Sequence, residues 1–279
     1  MTDATAGKVP VLECFRAAWA FLFQNWQLFV PTAAVVGTVT GFALLIGGGG
    51  TAPGPALLSM LPPLVAGVMF TAAILRKAVR NEFTGPAGLG FGQDEMRLLG
   101  VLGSIVLLIF PVVFLALMVF SVYIVGRLGL TEQELEALSA DPEALAKAMT
   151  DALGPTGILA MYGLFFAGVA LLVYVLAKLF MVNAATIGEK KIVFFQTWAW
   201  SKGNTYRIIL AMLLTALPAA GVNLLLQILV ASTGAGANLI VAVVVNAIAG
   251  FVAAMVNIPQ IALGAHLYKG LRPPEFVAK

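Results

Sequence analysis

LLGVLGSIVLLIFPVVFLALMVFSVYIV, residues 98–125, is a stretch of the chain without a single charged side chain. A helix needs about 20 apolar residues to cross the hydrocarbon core of a bilayer, and this stretch is long enough. The whole chain shares its character, because 61% of the 279 residues are hydrophobic and only 10% are charged. Soluble domains carry roughly a quarter charged residues. The sequence therefore predicts an integral membrane protein.

Five further apolar runs accompany this stretch. They lack the period-two alternation of barrel strands, and a helix satisfies its own backbone hydrogen bonds in lipid. We predict an all-α polytopic membrane protein, one integral membrane domain over residues 1–279, with six transmembrane helices arranged as three hairpins. The predicted spans are Phe29–Ile46, Ala56–Ile74, Leu98–Val125, Ile158–Val182, Ile208–Val230 and Leu239–Ala265.

Lys and Arg fall almost entirely on one side of this layout. Fourteen lie on the side of the two termini: Lys8, Arg16, Arg76, Lys77, Arg80, Arg97, Lys178, Lys190, Lys191, Lys202, Arg207, Lys269, Arg272 and Lys279. Two, Arg127 and Lys147, lie on the other side. Short loops rich in Lys and Arg stay in the cytoplasm, so both termini are predicted to be cytoplasmic. Basic residues dispersed at helix ends indicate topology and no nucleic-acid partner.

Residues 11–28 are predicted to form an interfacial helix on the cytoplasmic surface before the first span. Apolar residues recur there at helical spacing, and tryptophan rings settle at the level of the lipid headgroups. The predicted interfacial anchors are Trp19, Trp26, Trp198 and Trp200. Met1–Pro10 lacks the basic and apolar regions of a cleaved signal peptide, so we expect the first helix to be retained.

The spacing F-x3-W-x5-N occurs twice. The two copies are Phe15, Trp19 and Asn25, and Phe194, Trp198 and Asn204. Each copy precedes a predicted hairpin whose external connection carries no charge. The pattern indicates an internal repeat of the first and third hairpins.

Residues 131–153 form the one substantial external segment, and most of its charges are acidic. Thr131 and Glu134 match a capping box, and Asp141 precedes Pro142 as an N-cap precedes a helix start. We interpret the segment as a solvated acidic helical pair. Cation capture or docking of a partner stays open, although no calcium-ligand spacing is present.

Charged side chains are absent from the middle of the predicted spans, where they are costly and usually functional. The polar candidates that remain at depth are Asn223, Gln227, Asn246, Asn257 and Gln260. Amides can hydrogen-bond across helices, so we predict intramembrane polar contacts, with Asn246 meeting Asn223 or Gln227. A cavity for a polar ligand or a lipid headgroup is the alternative.

The spacing Gly37-x3-Gly41 indicates a close contact between two helices, because small residues four apart let helix backbones approach each other. The spacing of Gly88-x-Gly90-x-Gly92 differs from that of a dinucleotide-binding loop and follows no predicted strand. We therefore give these three glycines no cofactor role. Asp94 and Glu95, which follow them, are predicted to start the third helix, because acidic groups complement the helix dipole there.

Motifs for catalysis are missing from the chain. It contains no zinc-protease, nucleophile-elbow or Walker motif. One histidine and one cysteine cannot build a di-histidine or paired-cysteine site. We predict a protein that is not an enzyme, with no catalytic residue, no metal and no cofactor.

Six spans, the segment Phe194–Asn204 and the closing Ala265-His-Leu-Tyr-Lys269 together resemble a known family. They are similar to bacterial inner-membrane proteins related to the membrane domain of glycerophosphoryl diester phosphodiesterases. In those phosphodiesterases a soluble catalytic domain follows the membrane region, whereas this sequence ends at Lys279. The resemblance implies a membrane module of the bacterial inner membrane without the enzyme.

The predicted function is a non-catalytic inner-membrane module that binds lipid or a membrane-protein partner. Membrane lipids are the expected partners, with a membrane protein or a homo-oligomer as further candidates. The alternative is a permease or transporter component that moves a neutral or weakly polar solute past the amide side chains.

Overall fold

The computed structural model describes residues 7–47, 53–129, 141–232 and 239–273. It is 87% helical and has no strand in the described part of the chain. The helices are α1 Val11–Gly47, α2 Pro53–Arg80, α3 Gln93–Leu128, α4 Pro142–Leu179, α5 Val182–Glu189, α6 Gln196–Trp200, α7 Thr205–Ser232 and α8 Leu239–Leu271, with a 3₁₀ turn at Pro86–Gly88 between α2 and α3.

Six helices are long and apolar enough to cross a membrane, which confirms the all-α polytopic fold. The candidate spans are Val11–Ala43, Leu58–Arg80, Pro86–Tyr123, Leu153–Glu189, Thr205–Ser232 and Ile240–Leu271.

Residues 11–28 are not a separate helix, because α1 runs without a break from Val11 to Gly47. Its 37 residues extend about 56 Å at 1.5 Å per residue, well beyond a hydrocarbon core of about 30 Å. One end of α1 must therefore project past the hydrocarbon. An interfacial position for its first half stays a prediction.

The chain divides into two compact units. The terminal unit comprises Met1–Val101 and Leu176–Lys279, and the middle unit comprises Leu102–Val175. Within the terminal unit α1 packs on α2 and α7 packs on α8, as two of the predicted hairpins require. The most extensive packing is between α1 and α8, which join these two hairpins.

Glycines line the contact between α1 and α8. A Cβ atom added at Gly37 would lie 2.7 Å from the backbone nitrogen of Phe251, and one added at Gly41 would lie 2.6 Å from the carbonyl oxygen of Val243. A step of four residues forward on α1 thus corresponds to a step backward on α8, so the two helices are antiparallel. The close contact predicted from Gly37-x3-Gly41 is confirmed.

A hydrophobic core lies at the end of the terminal unit where α2 ends and α7 begins. Leu75, Met181, Ile187, Ile208 and Leu263 are fully buried there. The short helix α5 supplies part of this core. The predicted fourth span ends at Val182, and the sequence predicts no helix directly after it. Cys14 is buried in the same core, as a small apolar residue on a helix face.

The middle unit contains most of α3 and α4. The α4 helix bends at Gly154, whose φ of 61° and ψ of 177° are not helical. Asp141 caps its start, since Oδ1 accepts hydrogen bonds from the backbone nitrogens of Glu143 at 3.0 Å and Ala144 at 3.1 Å. This confirms the predicted N-cap. Residues 131–140 of the predicted acidic segment lie outside the described residues.

Large apolar side chains of the middle unit are widely exposed. Leu107 is 77% exposed and Leu159 is 74% exposed. Within the described residues α3 and α4 are not among the helix pairs that pack closely, although they were expected to form the second hairpin. In a membrane this surface must be covered by acyl chains or by another apolar surface.

Candidate functional site

The predicted intramembrane amides do not meet across helices in the described part of the chain. The Nδ2 atom of Asn246 donates to the carbonyl oxygen of Ala242 at 2.9 Å, and Nδ2 of Asn257 donates to that of Ala253 at 2.7 Å. Both acceptors belong to the same helix as the donor. Among these residues Asn246 therefore does not make the expected hydrogen bond to Asn223 or Gln227. Its amide bonds instead to the carbonyl group of Ala242, one turn earlier in the same helix.

The other amides on the same two helices have different environments. Asn223 is half-buried and Gln227 is exposed. Gln260 is half-buried, and its Oε1 atom is a buried acceptor without a hydrogen-bond partner among the described residues. These five side chains thus do not form one polar site.

The four tryptophans also differ. Trp26 and Trp198 are exposed on the protein surface, as side chains that contact lipid headgroups should be. Trp200 packs against Tyr268 with ring centroids 6.2 Å apart. Trp19 is half-buried, and its Nε1 atom is buried without a hydrogen-bond partner in the described residues. Their role as membrane anchors stays a prediction.

Asn25 and Asn204, which occupy equal places in the predicted repeat, have unlike contacts. Asn25 lies within α1, where Nδ2 donates to the carbonyl oxygen of Phe21 at 2.9 Å. Asn204 is buried just before α7, and its Oδ1 accepts from the backbone nitrogen of Val9 at 2.9 Å while Nδ2 donates to the carbonyl oxygen of Gly7. Asn204 thus holds the N-terminal segment. The repeat itself stays a prediction.

A buried ion pair joins α2 to α3. The Nη1 atom of Arg76 is paired with Oε1 of Glu95, and both side chains are buried. Nη2 of Arg76 donates to the carbonyl oxygen of Gly88 at 3.2 Å, while Oε2 of Glu95 accepts from the backbone nitrogen of Gly92 at 2.9 Å. The second contact is the reciprocal half of a capping box at the start of α3. It confirms that the acidic residues after Gly92 begin this helix.

Asp94 is the centre of a second group of charges. Arg80 pairs with its Oδ2 atom through Nη2, and Nη1 of Arg97 lies 2.9 Å from its Oδ1 atom. Nη1 of Arg80 also donates to the carbonyl oxygen of Ile187 at 3.3 Å. This arginine therefore links α2 to both α3 and α5.

Glu82 is the outermost carboxylate of this charged cluster. Its Oε2 atom lies 3.0 Å from Nε of Arg80, yet that Nε is a buried donor without an aligned hydrogen bond in the described residues. The Glu82 side chain is 48% exposed, compared with 12% for Asp94 and 2% for Glu95. Its ion pair is consequently the most open to water of the three.

An open cleft of about 410 Å³ lies over this cluster. The charged side chains that line it are Arg76, Arg80, Arg97 and Lys190 on the cationic side, and Glu82, Asp94 and Glu95 on the acidic side. Four positive charges against three negative charges leave a formal net charge of +1. We call this concavity the arginine cleft.

Lys190 is the cationic residue of the arginine cleft that has no carboxylate partner among the described residues. It is exposed and ends α5 in the left-handed conformation, with φ of 53°. No ion pair to Lys190 occurs within the described residues. Its ammonium group is thus free to attract an anion at the rim of the arginine cleft.

Apolar side chains border the arginine cleft. Phe91 lines it and is exposed, and a neighbouring open cavity of about 630 Å³ shares Phe91 and Arg97 with it. That second cavity adds Met96, which is also exposed. A single occupant could therefore touch cationic and apolar groups at once.

Further contacts at the same end of the terminal unit bring the chain's distant segments together. The hydroxyl of Tyr268 donates to Oε1 of Glu189 at 2.6 Å, and Nε of Arg272 lies 2.8 Å from the same oxygen. Nη1 of Arg207 donates to the carbonyl oxygen of Val9 at 3.2 Å. The segments predicted to be cytoplasmic thus contact one another.

No group of histidine, cysteine, aspartate or glutamate residues suited to a metal ion occurs among the described residues. Comparison with known protein families, with curated proteins and with solved structures finds no match to this chain.

The sequence indicated these charged residues without revealing that they form a site. Arg76, Arg80 and Arg97 counted toward topology, and Asp94 and Glu95 counted as the start of a helix. The two adjacent acidic residues Asp94 and Glu95, close in sequence to Arg97, could have indicated a charged site. Basic residues that only set membrane topology do not need carboxylates beside them. The spacings of Arg76 from Arg80 and of Asp94 from Arg97 also place each pair on one helix face.

Proposed function

We propose that this chain is a non-catalytic membrane module that binds the headgroup of a phospholipid in the arginine cleft. The observation that carries the proposal is the presence, in one open cleft, of unpaired positive charge at Lys190 and the exposed apolar side chain of Phe91, with the exposed Met96 in the neighbouring cavity. Phosphate oxygens accept hydrogen bonds from guanidinium and ammonium groups. The glycerol and acyl portions would contact the apolar border.

The start of α3 adds to the attraction for an anion. Gly90, Gly92 and Gln93 line the cleft and lead into this helix of 36 residues. The N-terminus of a helix carries a partial positive charge and unpaired backbone N–H groups, both of which favour negative groups. The acidic residues Asp94 and Glu95 use part of that attraction, whereas the rim at Lys190 and Arg97 does not depend on it.

The position along the helices suits a headgroup. The apolar span of α2 ends at Arg80, and Arg76 and Arg80 at this end of the helix line the cleft. A lipid whose acyl chains lie beside the spans would carry its phosphate near this level. Because the cleft lies on the side rich in Lys and Arg, we place it at the cytoplasmic face of a bacterial inner membrane.

A permease is the weaker candidate. It depended on the amides of α7 and α8 lining a common path, whereas Asn246 and Asn257 bond to their own helix. Kinship with the membrane domain of glycerophosphoryl diester phosphodiesterases also stays a prediction. A lipid-binding module would be compatible with that kinship and does not depend on it.

Lipid retained by the purified chain tests the proposal. The variant Arg97→Ala/Lys190→Ala removes the two outer cations, and Lys202→Ala/Lys269→Ala removes two exposed cations that do not line the cleft. Each Lys or Arg near an anionic lipid contributes about 1 kcal/mol, so the first variant, which lacks two of them, should bind anionic phospholipid about 30-fold more weakly. Native mass spectrometry from nanodiscs measures the bound lipid. Equal retention by both variants would refute the proposal.

A further inference from the structure

This inference rests on the proposed function and concerns which headgroup the arginine cleft selects. Two of the three carboxylates that line the cleft make contacts that hold the fold together. Asp94 contacts Arg80 and Arg97, and Glu95 contacts Arg76 and the backbone nitrogen of Gly92. Displacing either would leave buried charges without partners, so neither can be exchanged for a ligand.

Glu82 differs from both. Its contact in this cluster is the ion pair with Arg80, and nearly half of its side chain is exposed. Exposed ion pairs are weak because water competes for both partners. An incoming anion can therefore replace this carboxylate while the other two remain in place.

Arg80 presents the matching donor. Its Nη1 and Nη2 atoms each donate one hydrogen bond, to Ile187 and to Asp94, and its Nε atom faces Glu82. That Nε has no aligned hydrogen bond within the described residues, although the Glu82 oxygen lies 3.0 Å away. A buried N–H group without an acceptor favours any anionic oxygen that approaches along the N–H direction.

The backbone at Glu82 is held even though its side chain is open. Asn81 adopts a left-handed conformation with φ of 58° that ends α2, and its Oδ1 accepts from Nζ of Lys77 at 2.7 Å. The backbone nitrogen of Glu82 donates to the carbonyl oxygen of Arg76 at 3.3 Å. A change of side-chain rotamer, without a change of the loop, is enough to move the carboxylate out of the cleft.

We propose that the Glu82 carboxylate is a built-in competitor that occupies the anion position beside Arg80, and that it limits the preference of the arginine cleft for anionic over zwitterionic phospholipids. Exchange of one carboxylate for one phosphate keeps the charge balance around Arg80. With Glu82 in place the formal net charge of the cleft is +1, and without that carboxylate it is +2. The added positive charge attracts a headgroup with net negative charge more strongly than a zwitterionic headgroup, whose own cation is repelled.

The variant Glu82→Gln tests the inference because it removes the charge at nearly constant shape. Glu13→Gln is the matched control, since Glu13 is an exposed carboxylate in the first turn of α1 that does not line the cleft. The full chain is reconstituted in nanodiscs with equal amounts of phosphatidylglycerol and phosphatidylcholine. Native mass spectrometry then gives the ratio of the two lipids that the protein retains.

We expect Glu82→Gln to raise the ratio of phosphatidylglycerol to phosphatidylcholine by about two- to fivefold over wild type, which is the range that an exposed ion pair supplies. Glu13→Gln should leave the ratio unchanged, which excludes a general effect of net charge. The thermal unfolding temperature in detergent should be the same for both variants, because the Glu82 carboxylate is exposed.

Each failure has a distinct signature. Equal ratios for Glu82→Gln and Glu13→Gln would overturn the competitor role, while the proposed function would stand if Arg97→Ala/Lys190→Ala still lowered the retained lipid. A lower ratio in Glu82→Gln would also overturn it, since Glu82 would then favour the anionic lipid. If Arg97→Ala/Lys190→Ala retained as much lipid as wild type, the proposed function itself would fail.

Discussion

Two regions of the terminal unit satisfy the hydrogen bonds of their polar side chains in different ways. Where α2 ends and α3 begins, Arg76 and Glu95 are buried and bond to each other across two helices. Within the apolar part of α8, Asn246 and Asn257 bond to carbonyl groups of their own helix. A polar contact holds a tertiary structure together only when its two partners belong to different elements. The charged cluster does so, whereas these amides do not.

What joins α1 to α8 within the apolar part is backbone proximity. Gly37 and Gly41 on α1 and Gly250 on α8 leave space that any side chain would fill. Here dispersion contacts between closely packed helices hold the helices together, whereas ion pairs do so at the end of the unit. The contrast between a charged end and a glycine-lined interior can be tested by substitution.

The largest effect is expected for Glu95→Leu. The change leaves the buried guanidinium of Arg76 and the backbone N–H of Gly92 without their carboxylate, which should cost about 3–5 kcal/mol of folding free energy. Equilibrium unfolding in detergent with a denaturant measures the loss. The double variant Arg76→Met/Glu95→Leu should recover part of it, because the unpaired charge is removed as well. A loss no greater than that of Asn246→Leu would contradict the contrast.

A smaller loss is expected for Gly37→Ala. The new methyl group would approach the α8 backbone at Phe251 to within 2.7 Å, so α1 and α8 must move apart at a cost of about 1–3 kcal/mol. Gly221→Ala is the control in α7, where an added Cβ has no atom within 4 Å. The control should be neutral or slightly stabilising because alanine favours the helix. Equal thermal stability of the two variants would show that α1 and α8 are not in close contact.

Asn204→Ala should cost about 1–2 kcal/mol, because it removes both hydrogen bonds to the backbone of Gly7 and Val9. The N-terminal segment should then be cut faster in limited proteolysis. Asn25→Ala is the matched change at the equivalent place of the predicted repeat. Its amide bonds only to the preceding turn of α1 in the described residues, so proteolysis should stay at the wild-type rate. Equal cleavage of the two variants would favour equivalent roles.

The smallest effect is expected for Asn246→Leu, at about 0–1 kcal/mol. The substitution removes a polar group whose described hydrogen bond stays within α8, and leucine is of similar size. Thermal unfolding in detergent provides the measurement, with wild type as the reference. A loss above about 2 kcal/mol would show that the amide bonds to another helix in the membrane.

Much of the fold could be predicted because its causes are local. The number of spans follows from the length of apolar runs, and the starts of α3 and α4 follow from acidic residues and an N-cap within one turn. The pair Gly37 and Gly41 indicated a close helix contact for the same reason. Its partner helix could not be predicted, since α8 lies some two hundred residues further along the chain.

The arginine cleft could not be predicted in the same way. Equal spacing placed Asn25 and Asn204 in one pattern, yet only Asn204 meets a distant segment. Likewise, Arg80 and Ile187 are far apart in sequence and meet only because α2 packs on α5. The sequence gives the positions of the polar side chains along each helix, and the packing of the helices decides which of these side chains contact each other.

By itself, the sequence determined that the chain is all-α and spans a membrane, because hydrophobic transfer and backbone hydrogen bonding act on each apolar run separately. It also determined where the charges lie along the chain. Only the tertiary structure decided that α1 packs on α8, that Asp94 and Glu95 pair with arginines of α2, and that Glu82 and Lys190 are exposed at the rim of the arginine cleft. Those outcomes depend on contacts between segments that are distant in sequence. Such contacts form, and contribute free energy, only when the helices pack together.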